Sequence, residues 1–164
     1  MLNKFLKKES PITGLAGMGG GVVNKLLGAT GPKSGQELFS TPGTYSWTAP
    51  IGITTVSVVA VGGGGGGTGS GGVAGGGGGG GLGWKNNISV TPGQSYTVVV
   101  GAKGTYASNT GVSGGDSYFI NTSTVKGGGG SGGSISGGGS GGNYTGDGGG
   151  NGGTGSNGDG SGYG

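Results

Sequence analysis

The sequence lacks three residue types on which many functional sites depend: it has no cysteine, no histidine and no arginine. Without cysteine the chain has neither a disulfide framework nor a thiolate metal site. Without histidine the commonest general base and the commonest metal ligand are both missing. Because arginine is absent and the lysines outside the N-terminal segment are scattered, we expect no nucleic acid partner.

Charge of either sign is also scarce. Charged residues make up 8% of the chain, whereas an ordinary domain has about a quarter. The net charge of +3 comes from lysine alone, and half of the lysines lie near the N-terminus, at Lys4, Lys7, Lys8 and Lys25. The rest of the chain is close to neutral, so its surface is not basic.

Few residues are suited to catalysis or metal binding. Beyond residue 37 the acidic residues are Asp116, Asp147 and Asp159, and the last two lie in glycine-rich sequence that does not hold a glycosidase pair rigidly. Asp147 and Asp159, with Asn151 and Asn157, could bind Ca²⁺ through oxygen, but solvated loop residues are the simpler interpretation. Matches to GxGxxG lack a strand-helix-strand context. We therefore predict a protein that is not an enzyme and holds no cofactor or metal.

Long hydrophobic runs are missing as well. Met1–Ser10 is positively charged, but no apolar stretch follows it and Pro11 interrupts the segment. We expect neither a secretory signal peptide nor a transmembrane span. This pattern predicts synthesis and assembly in a cytoplasm, even for a protein that acts outside the cell.

What the chain has in abundance is glycine, with 55 residues in runs such as 62–67 and 75–81. Glycine is the residue whose backbone is most costly to order. Such runs are either disordered or used where backbones approach more closely than side chains allow. Residues 127–164 consist of glycine diluted with Ser, Asn, Thr and Asp, and both interpretations stay open there. Order requires that nearly every backbone group is paired, as in an extended polyglycine array packed against 62–81.

Residues 1–35 are predicted to form an N-terminal docking segment that is extended or forms short helices. Its apolar residues recur at helical spacing, with lysines opposite. A segment this short and glycine-rich does not fold alone, so it is either a flexible leader or a peptide that orders on another protein. The predicted docking residues are Leu2, Phe5, Leu6, Ile12, Leu15, Met18, Val22 and Leu26.

Residues 36–126 are predicted to form an antiparallel β-domain interrupted by glycine blocks. The alternation of apolar and polar residues and the Pro-Gly turns predict strands at 36–39, 44–48, 54–61, 84–90, 95–100, 116–120 and 123–126. Type II geometry is expected at Thr41-Pro42-Gly43, and a tight hairpin turn at Asn121-Thr122. The fold class is therefore mainly β, a small antiparallel β-sandwich with long polyglycine loops.

Several side chains have a predicted position. On the valine-rich strand, Val56, Val58 and Ala60 face one way and Val59 and Val61 face the other.

Three aromatic side chains follow or interrupt glycine-rich sequence. Trp84 follows a glycine block and is expected to pack in the core. Tyr106 and Tyr144 lie among Ser, Asn and Thr, a composition typical of recognition surfaces. Each is a candidate receptor contact, or else fixes a glycine loop in place.

Three stretches of the sequence resemble one known family. Residues 39–66 read FSTPGTYSWTAPIGITTVSVVAVGGGGG, residues 90–101 read VTPGQSYTVVVG, and residues 114–119 read GGDSYF. In this order of turn, strand and glycine block, residues 37–164 resemble the glycine-rich domain of bacteriophage tail fibres and receptor-binding proteins. More loosely, they resemble phage adhesins in which stacked polyglycine helices carry recognition loops at their tips.

The resemblance implies a virion protein that docks onto other tail or baseplate proteins by its N-terminus and presents the β-domain to the host surface. The implied partners are a host polysaccharide or an outer-membrane protein, and the implied oligomer is a homotrimer. Two alternatives stay open: a purely structural tail spacer or decoration protein, and an ice-binding or extracellular polyglycine protein. Binding to host cells separates the first from an adhesin, and thermal hysteresis would detect the second.

Overall fold

The computed structural model describes residues 35–70 and 73–158. These residues form strands and extended segments, and none of them forms a helix long and apolar enough to cross a membrane. The strands are β1 (Gly43–Thr48), β2 (Thr55–Val61), β3 (Thr68–Ser70), β4 (Val73–Gly75), β5 (Leu82–Ser89), β6 (Ser95–Val100), β7 (Ser117–Phe119), β8 (Val125–Gly127), β9 (Tyr144–Thr145) and β10 (Gly148–Gly150).

Two antiparallel sheets form the predicted sandwich. One has five strands in the order β1-β6-β7-β8-β9, and the other has three in the order β10-β5-β2. Strands β2 and β5 lie against β7 and β8 of the larger sheet. The fold class predicted from the sequence is confirmed, because alternating apolar residues give each sheet one face to bury.

The core lies between the sheets and is small. Its buried apolar residues are Ala49, Ala60, Ile88, Val90, Phe119 and Val125. As predicted, Val56, Val58 and Ala60 point into it, whereas Val59 and Val61 are exposed. The ring of Phe119 packs against Trp47 and Tyr96, with centroid distances of 5.7 and 5.8 Å.

Two turns of the β-domain, at 50–53 and 91–94, have type II geometry, but the turn predicted at Thr41-Pro42-Gly43 does not form. Gly52 (φ 87°) and Gly93 (φ 79°) each occupy the third position of a turn closed by a hydrogen bond from residue four to residue one, which is type II geometry. Gly43 has a φ of 157° and begins β1 instead, so the type II turn predicted at Thr41-Pro42-Gly43 is wrong.

The hairpin between β7 and β8 is longer than predicted. A five-residue loop, 120–124, connects these strands in place of a two-residue turn at Asn121-Thr122. The Asn121 side-chain oxygen accepts hydrogen bonds from the Ser123 and Thr124 amides and from the Thr124 hydroxyl. This side chain holds the loop in a turn conformation, so β8 begins at Val125 rather than at residue 123.

Other boundaries also differ. Residues 36–39 do not form a strand, because no described strand lies beside them; the Phe39 ring instead packs on Tyr45 at 5.2 Å. Strand β5 begins at Leu82, earlier than predicted. Two strands, β9 and β10, come from the glycine-rich sequence after residue 127, where no alternation of side chains announces them.

Beyond the sandwich, the strands continue as extended glycine-rich segments that pack side by side; we call this assembly the glycine stack. Strands β2, β5 and β10 continue into 62–67, 75–81 and 150–158, while β6 to β9 are continuous with 101–105, 111–115, 128–134 and 137–143. Hydrogen bonds between segments arrange them in two staggered rows. The first row has the order 101–105, 62–67, 75–81, 150–158, and the second has the order 111–115, 128–134, 137–143.

The hydrogen bonds of the stack repeat every third residue. Gly62 and Gly65 donate to the segment 75–81, whereas Gly63 and Gly66 donate to 111–115. A period of three is that of the polyproline II helix. A glycine segment in this conformation has backbone N–H groups, which proline lacks. Each segment can therefore donate hydrogen bonds to several neighbouring segments.

Glycine is required here because the backbones touch. A Cβ on Gly65 would overlap the Ser131 carbonyl, and one on Gly78 would overlap the Ser140 carbonyl. Ser131 and Ser140 are themselves exposed at the surface of the stack. Of the two interpretations of residues 127–164, the packed array against 62–81 is confirmed for residues 127–158.

Candidate functional site

Three chain connections meet at the end of the stack that lies away from the sandwich, and we call this end the tip. They are the β3–β4 hairpin, residues 106–110 and residues 134–137. Each one joins two neighbouring segments of the stack, so their positions are fixed by the backbone hydrogen bonds below them.

Tyr106 holds two of these connections together. Its hydroxyl donates a hydrogen bond to the Gly69 carbonyl at 2.7 Å, although 66% of the residue is exposed. A parallel bridge between Thr68 and Ala107 lies beside this contact. The two sequence interpretations of Tyr106 are therefore compatible: its hydroxyl fixes a glycine loop, and its ring faces solvent.

The third connection is joined to the second. The Ile135 amide donates to the Asn109 carbonyl at 3.2 Å, and Ser134 forms a bridge with Thr110. The Ser134 and Ser136 hydroxyls hydrogen-bond each other at 2.9 Å. These contacts hold Ile135 at the surface with 47% of its area exposed.

The described residues of the tip carry no charge and mix apolar with small polar side chains. Residues 68–70, 73–75, 105–112 and 134–137 contain no lysine, aspartate or glutamate. Tyr106 and Ile135 offer apolar area, and so does Val112, which follows the second connection in the sequence and is 52% exposed. Ser108, Asn109 and Ser136 offer hydrogen-bonding groups beside them. Such a surface suits a neutral ligand, held by ring contact and hydrogen bonds rather than by ion pairs.

Tyr144, the other candidate contact, lies elsewhere. It begins β9 at the sandwich end, and its ring packs against Gly149, where a Cβ would overlap it. Segment 137–143 separates it from the tip, a span of about 20 Å at the polyproline II rise. The structure thus brings Tyr106, but not Tyr144, into the tip, and the contacts of Tyr144 favour the role of fixing a glycine loop.

The prediction that Trp84 packs in the core is wrong. On β5 it is Gly83 that faces the larger sheet, where the Lys126 and Thr145 carbonyls leave no room for a Cβ. Trp84 therefore points outward, 37% exposed, with its ring across Gly148. Together with Val59, Val61 and Leu82 it forms an apolar face on the outside of the three-stranded sheet.

At the sandwich end, the Asp147 side chain stabilises the local structure of β5. Its carboxylate accepts hydrogen bonds from the Asn86 amide at 2.9 Å and from the Lys85 ammonium at 3.0 Å. These groups hold the pKa of the Asp147 carboxyl below its ordinary value, the Asn86 amide contributing most. They also fix a β-bulge, where Asn86 and Asn87 (φ 52°) oppose Ser57 alone.

The other residues considered for metal binding or catalysis are not brought together. Asp116 accepts a hydrogen bond from the Gly129 amide at 2.8 Å and pairs with Lys126, and Asp159 lies outside the described residues. Among residues 35–70 and 73–158 no three acidic side chains cluster as metal ligands would. The predicted docking residues, from Leu2 to Leu26, also lie outside the described residues.

Sequence reasoning missed the tip itself. Ile135 and Val112 carried no signal, because single apolar residues in glycine-rich sequence show no periodicity. The order of the glycine blocks offers one clue: residues 68–74 and 134–136 each lie between two glycine-rich segments, which must pair if they are to be ordered.

The described residues thus define a class of architecture, a small β-sandwich whose strands run on into a packed polyglycine stack. The sequence of residues 39–164 matches the family described as "Glycine-rich domain". Because the match covers most of the chain, the protein belongs to this family. A comparison with curated proteins gave no match.

Proposed function

We propose that the protein is an attachment protein of a bacteriophage tail, which docks onto other tail or baseplate proteins by residues 1–35 and contacts the host surface with its tip. It acts by binding and not by catalysis. The proposed location is the virion, assembled in the host cytoplasm. The motifs within residues 37–164 support this proposal, as does the resemblance to adhesins built from stacked polyglycine.

One observation carries the proposal: three chain connections converge at one end of a hydrogen-bonded stack and expose Tyr106 and Ile135 there. A rigid base reduces the entropy that a recognition loop loses on binding. Exposed tyrosine beside serine and asparagine supplies contact area at low entropic cost. The tip is therefore the part of the described chain best suited to a host polysaccharide or an outer-membrane protein.

The proposal predicts that the tip, and not the sandwich end, sets binding to cells. The labelled full-length protein is mixed with intact cells from a panel of bacteria, and the fraction that sediments with the cells is measured. We expect Tyr106→Ala to weaken binding to the susceptible strain about tenfold or more, as expected for a tyrosine at the centre of an interface. Because the described residues of the tip carry no charge, added salt should change binding little.

Tyr144→Ala is the matched control, because it removes the same side chain at the opposite end of the stack. Tyr106→Phe separates the ring from the hydroxyl that bonds Gly69. Equal losses in the Tyr106→Ala and Tyr144→Ala variants, both folded by circular dichroism, would contradict a contact at the tip. A protein that is incorporated into virions but binds no cells would instead be the structural tail spacer.

A further inference from the structure

Strand β2 lies at one edge of the three-stranded sheet. Within the described chain it pairs with β5 alone, so its second edge has no strand beside it. Proteins usually block an open sheet edge with proline or charged residues. The sequence of β2, TVSVVAV, contains neither. The bulge in this sheet lies on β5, at Asn86 and Asn87, and not on β2.

The surface beside this edge is apolar. Val59 and Val61 of β2 are 65% and 56% exposed, and they adjoin Leu82 and Trp84 on β5. The edge strand of the larger sheet, β1, is different: its exposed side chains are Thr44, Ser46 and Thr48. Water solvates the hydroxyls of β1 well. Covering the exposed valines of β2 with another chain would remove apolar surface from water, which is favourable.

Two copies of the described region would not repel each other. It contains the lysines Lys85, Lys103 and Lys126, balanced by Glu37, Asp116 and Asp147. The described residues therefore add no net repulsion between two copies, and the net charge of +3 of the chain comes from the residues outside them. The charged pair nearest to the apolar face, Lys85 and Asp147, is already joined at 3.0 Å.

We propose that β2 pairs antiparallel with β2 of a second copy of this chain, which gives a six-stranded sheet in the order β10-β5-β2-β2-β5-β10. Two identical antiparallel strands are related by a two-fold axis, so one strand supplies both halves of the contact. Pairing satisfies the open amides and carbonyls of β2 and places the exposed valines of the two copies side by side. Other partners of this edge are outcomes of the test below.

This two-fold contact goes beyond the attachment function, because the tip does not take part in it. It also differs from the three-fold assembly that the resemblance to tail fibres implies, since a strand that pairs with its own copy closes a dimer and not a ring of three. The mass of the protein in solution therefore distinguishes the two.

The test measures the molar mass of the full-length protein by light scattering across a series of dilutions, for the wild type and for Val59→Lys. The wild type should dimerise. In Val59→Lys the edge carries a lysine on both copies, and like charges on adjacent strands should weaken the dimer about tenfold or more. Because Val59 is mostly exposed, the variant should keep its fold, which circular dichroism checks.

Leu82→Lys is the matched control, because it places the same charge on the same face but on the central strand β5. It should leave the dimer nearly unchanged. In hydrogen exchange, the β2 amides should become more protected as the protein concentration rises. Phe5→Lys tests whether the N-terminal segment makes the contact instead, and it too should leave the dimer intact.

Several results would overturn the proposal. A wild type that is monomeric or trimeric at all concentrations would do so. Equal weakening by Leu82→Lys would show that the whole face is buried rather than the edge paired. Loss of association in Phe5→Lys would assign the contact to the N-terminal segment.

Discussion

The sandwich and the glycine stack bury different parts of the chain. In the sandwich, side chains from alternate strand positions, such as Phe119 and Val125, fill the space between two sheets. In the stack the buried residues include Gly66, Gly78 and Gly130, which have no side chain. The sandwich is held by apolar burial, whereas the stack is held by backbone hydrogen bonds and close contact between backbones.

The difference follows from the number of neighbours that each element has. A strand in a sheet pairs with at most two others, and its two faces need side chains to pack. The segment 62–67 bonds to four others in two rows, which leaves no face for side chains except at the surface. The chain runs on without a break from strand to stack, as where β2 passes into 62–67.

The largest loss of stability is expected when a methyl group is added inside the stack. Gly65→Ala places a Cβ against the Ser131 carbonyl, and two backbones must then move apart. We expect a cost above about 3 kcal/mol, which is a large part of the stability of a small domain. Thermal unfolding followed by circular dichroism measures it.

Gly153→Ala is the control for this prediction, because nothing lies within 4 Å of the Cβ that it adds. It should change the midpoint of unfolding little. Equal destabilisation by both substitutions would contradict the view that close packing, rather than glycine content, holds the stack together.

A smaller effect is expected from a cavity in the sandwich. Val125 is fully buried, and Val125→Ala removes two methyl groups from the core. We expect a loss of about 2 kcal/mol in the free energy of unfolding, measured by urea denaturation. Val59→Ala, on the exposed face of β2, should cost much less; a similar cost for both would mean that the sandwich does not depend on its core.

Amide hydrogen exchange should show the three-residue period directly. The Gly63 and Gly65 amides donate to Gly115 and Gly78 at 3.0 and 2.8 Å, whereas no described residue accepts a hydrogen bond from the Gly64 amide. We expect the Gly64 amide to exchange about tenfold faster or more. Uniform exchange along 62–67 would argue against the arrangement in rows.

The smallest effect is expected from protonation of Asp147, which holds the bulge at the sandwich end. Because the pKa of Asp147 is lowered in the folded protein, its contribution is present at neutral pH and is lost only as the pH falls below 3.8. The Asn86 amide should therefore stay protected at pH 5 and lose protection only as the pH is lowered below 3.8. Asp147→Asn should already show reduced protection at pH 5, and an Asn86 amide whose exchange rate does not respond to this substitution would contradict the assigned contact.

The sandwich could be predicted where side chains alternate, and less well elsewhere. The alternation of side chains over 44–48 predicted β1, and Val56, Val58 and Ala60 predicted the buried face of β2. Trp84 was misplaced because large apolar residues are usually buried, whereas here the approach of the Lys126 and Thr145 carbonyls decides that Gly83 faces inward. This approach involves residues far apart in the sequence.

The stack and the tip could be predicted only in part. Composition showed that the glycine runs must pair if they are ordered, but runs of one residue type carry no register. Which segment lies beside which depends on the strands that lead into it. The meeting of Tyr106 with Gly69, and of Ile135 with Asn109, follows from that order and from nothing local to those residues.

The repeat of three residues per turn makes the length of the molecule change in fixed steps. One added turn would need three more residues in each segment, and it would carry the tip about 9 Å further from the sandwich. An insertion of one or two residues in a single segment would instead rotate its side chains into neighbouring backbones. The distance between the sandwich and the tip can therefore change only in steps of one whole turn, made in all segments together.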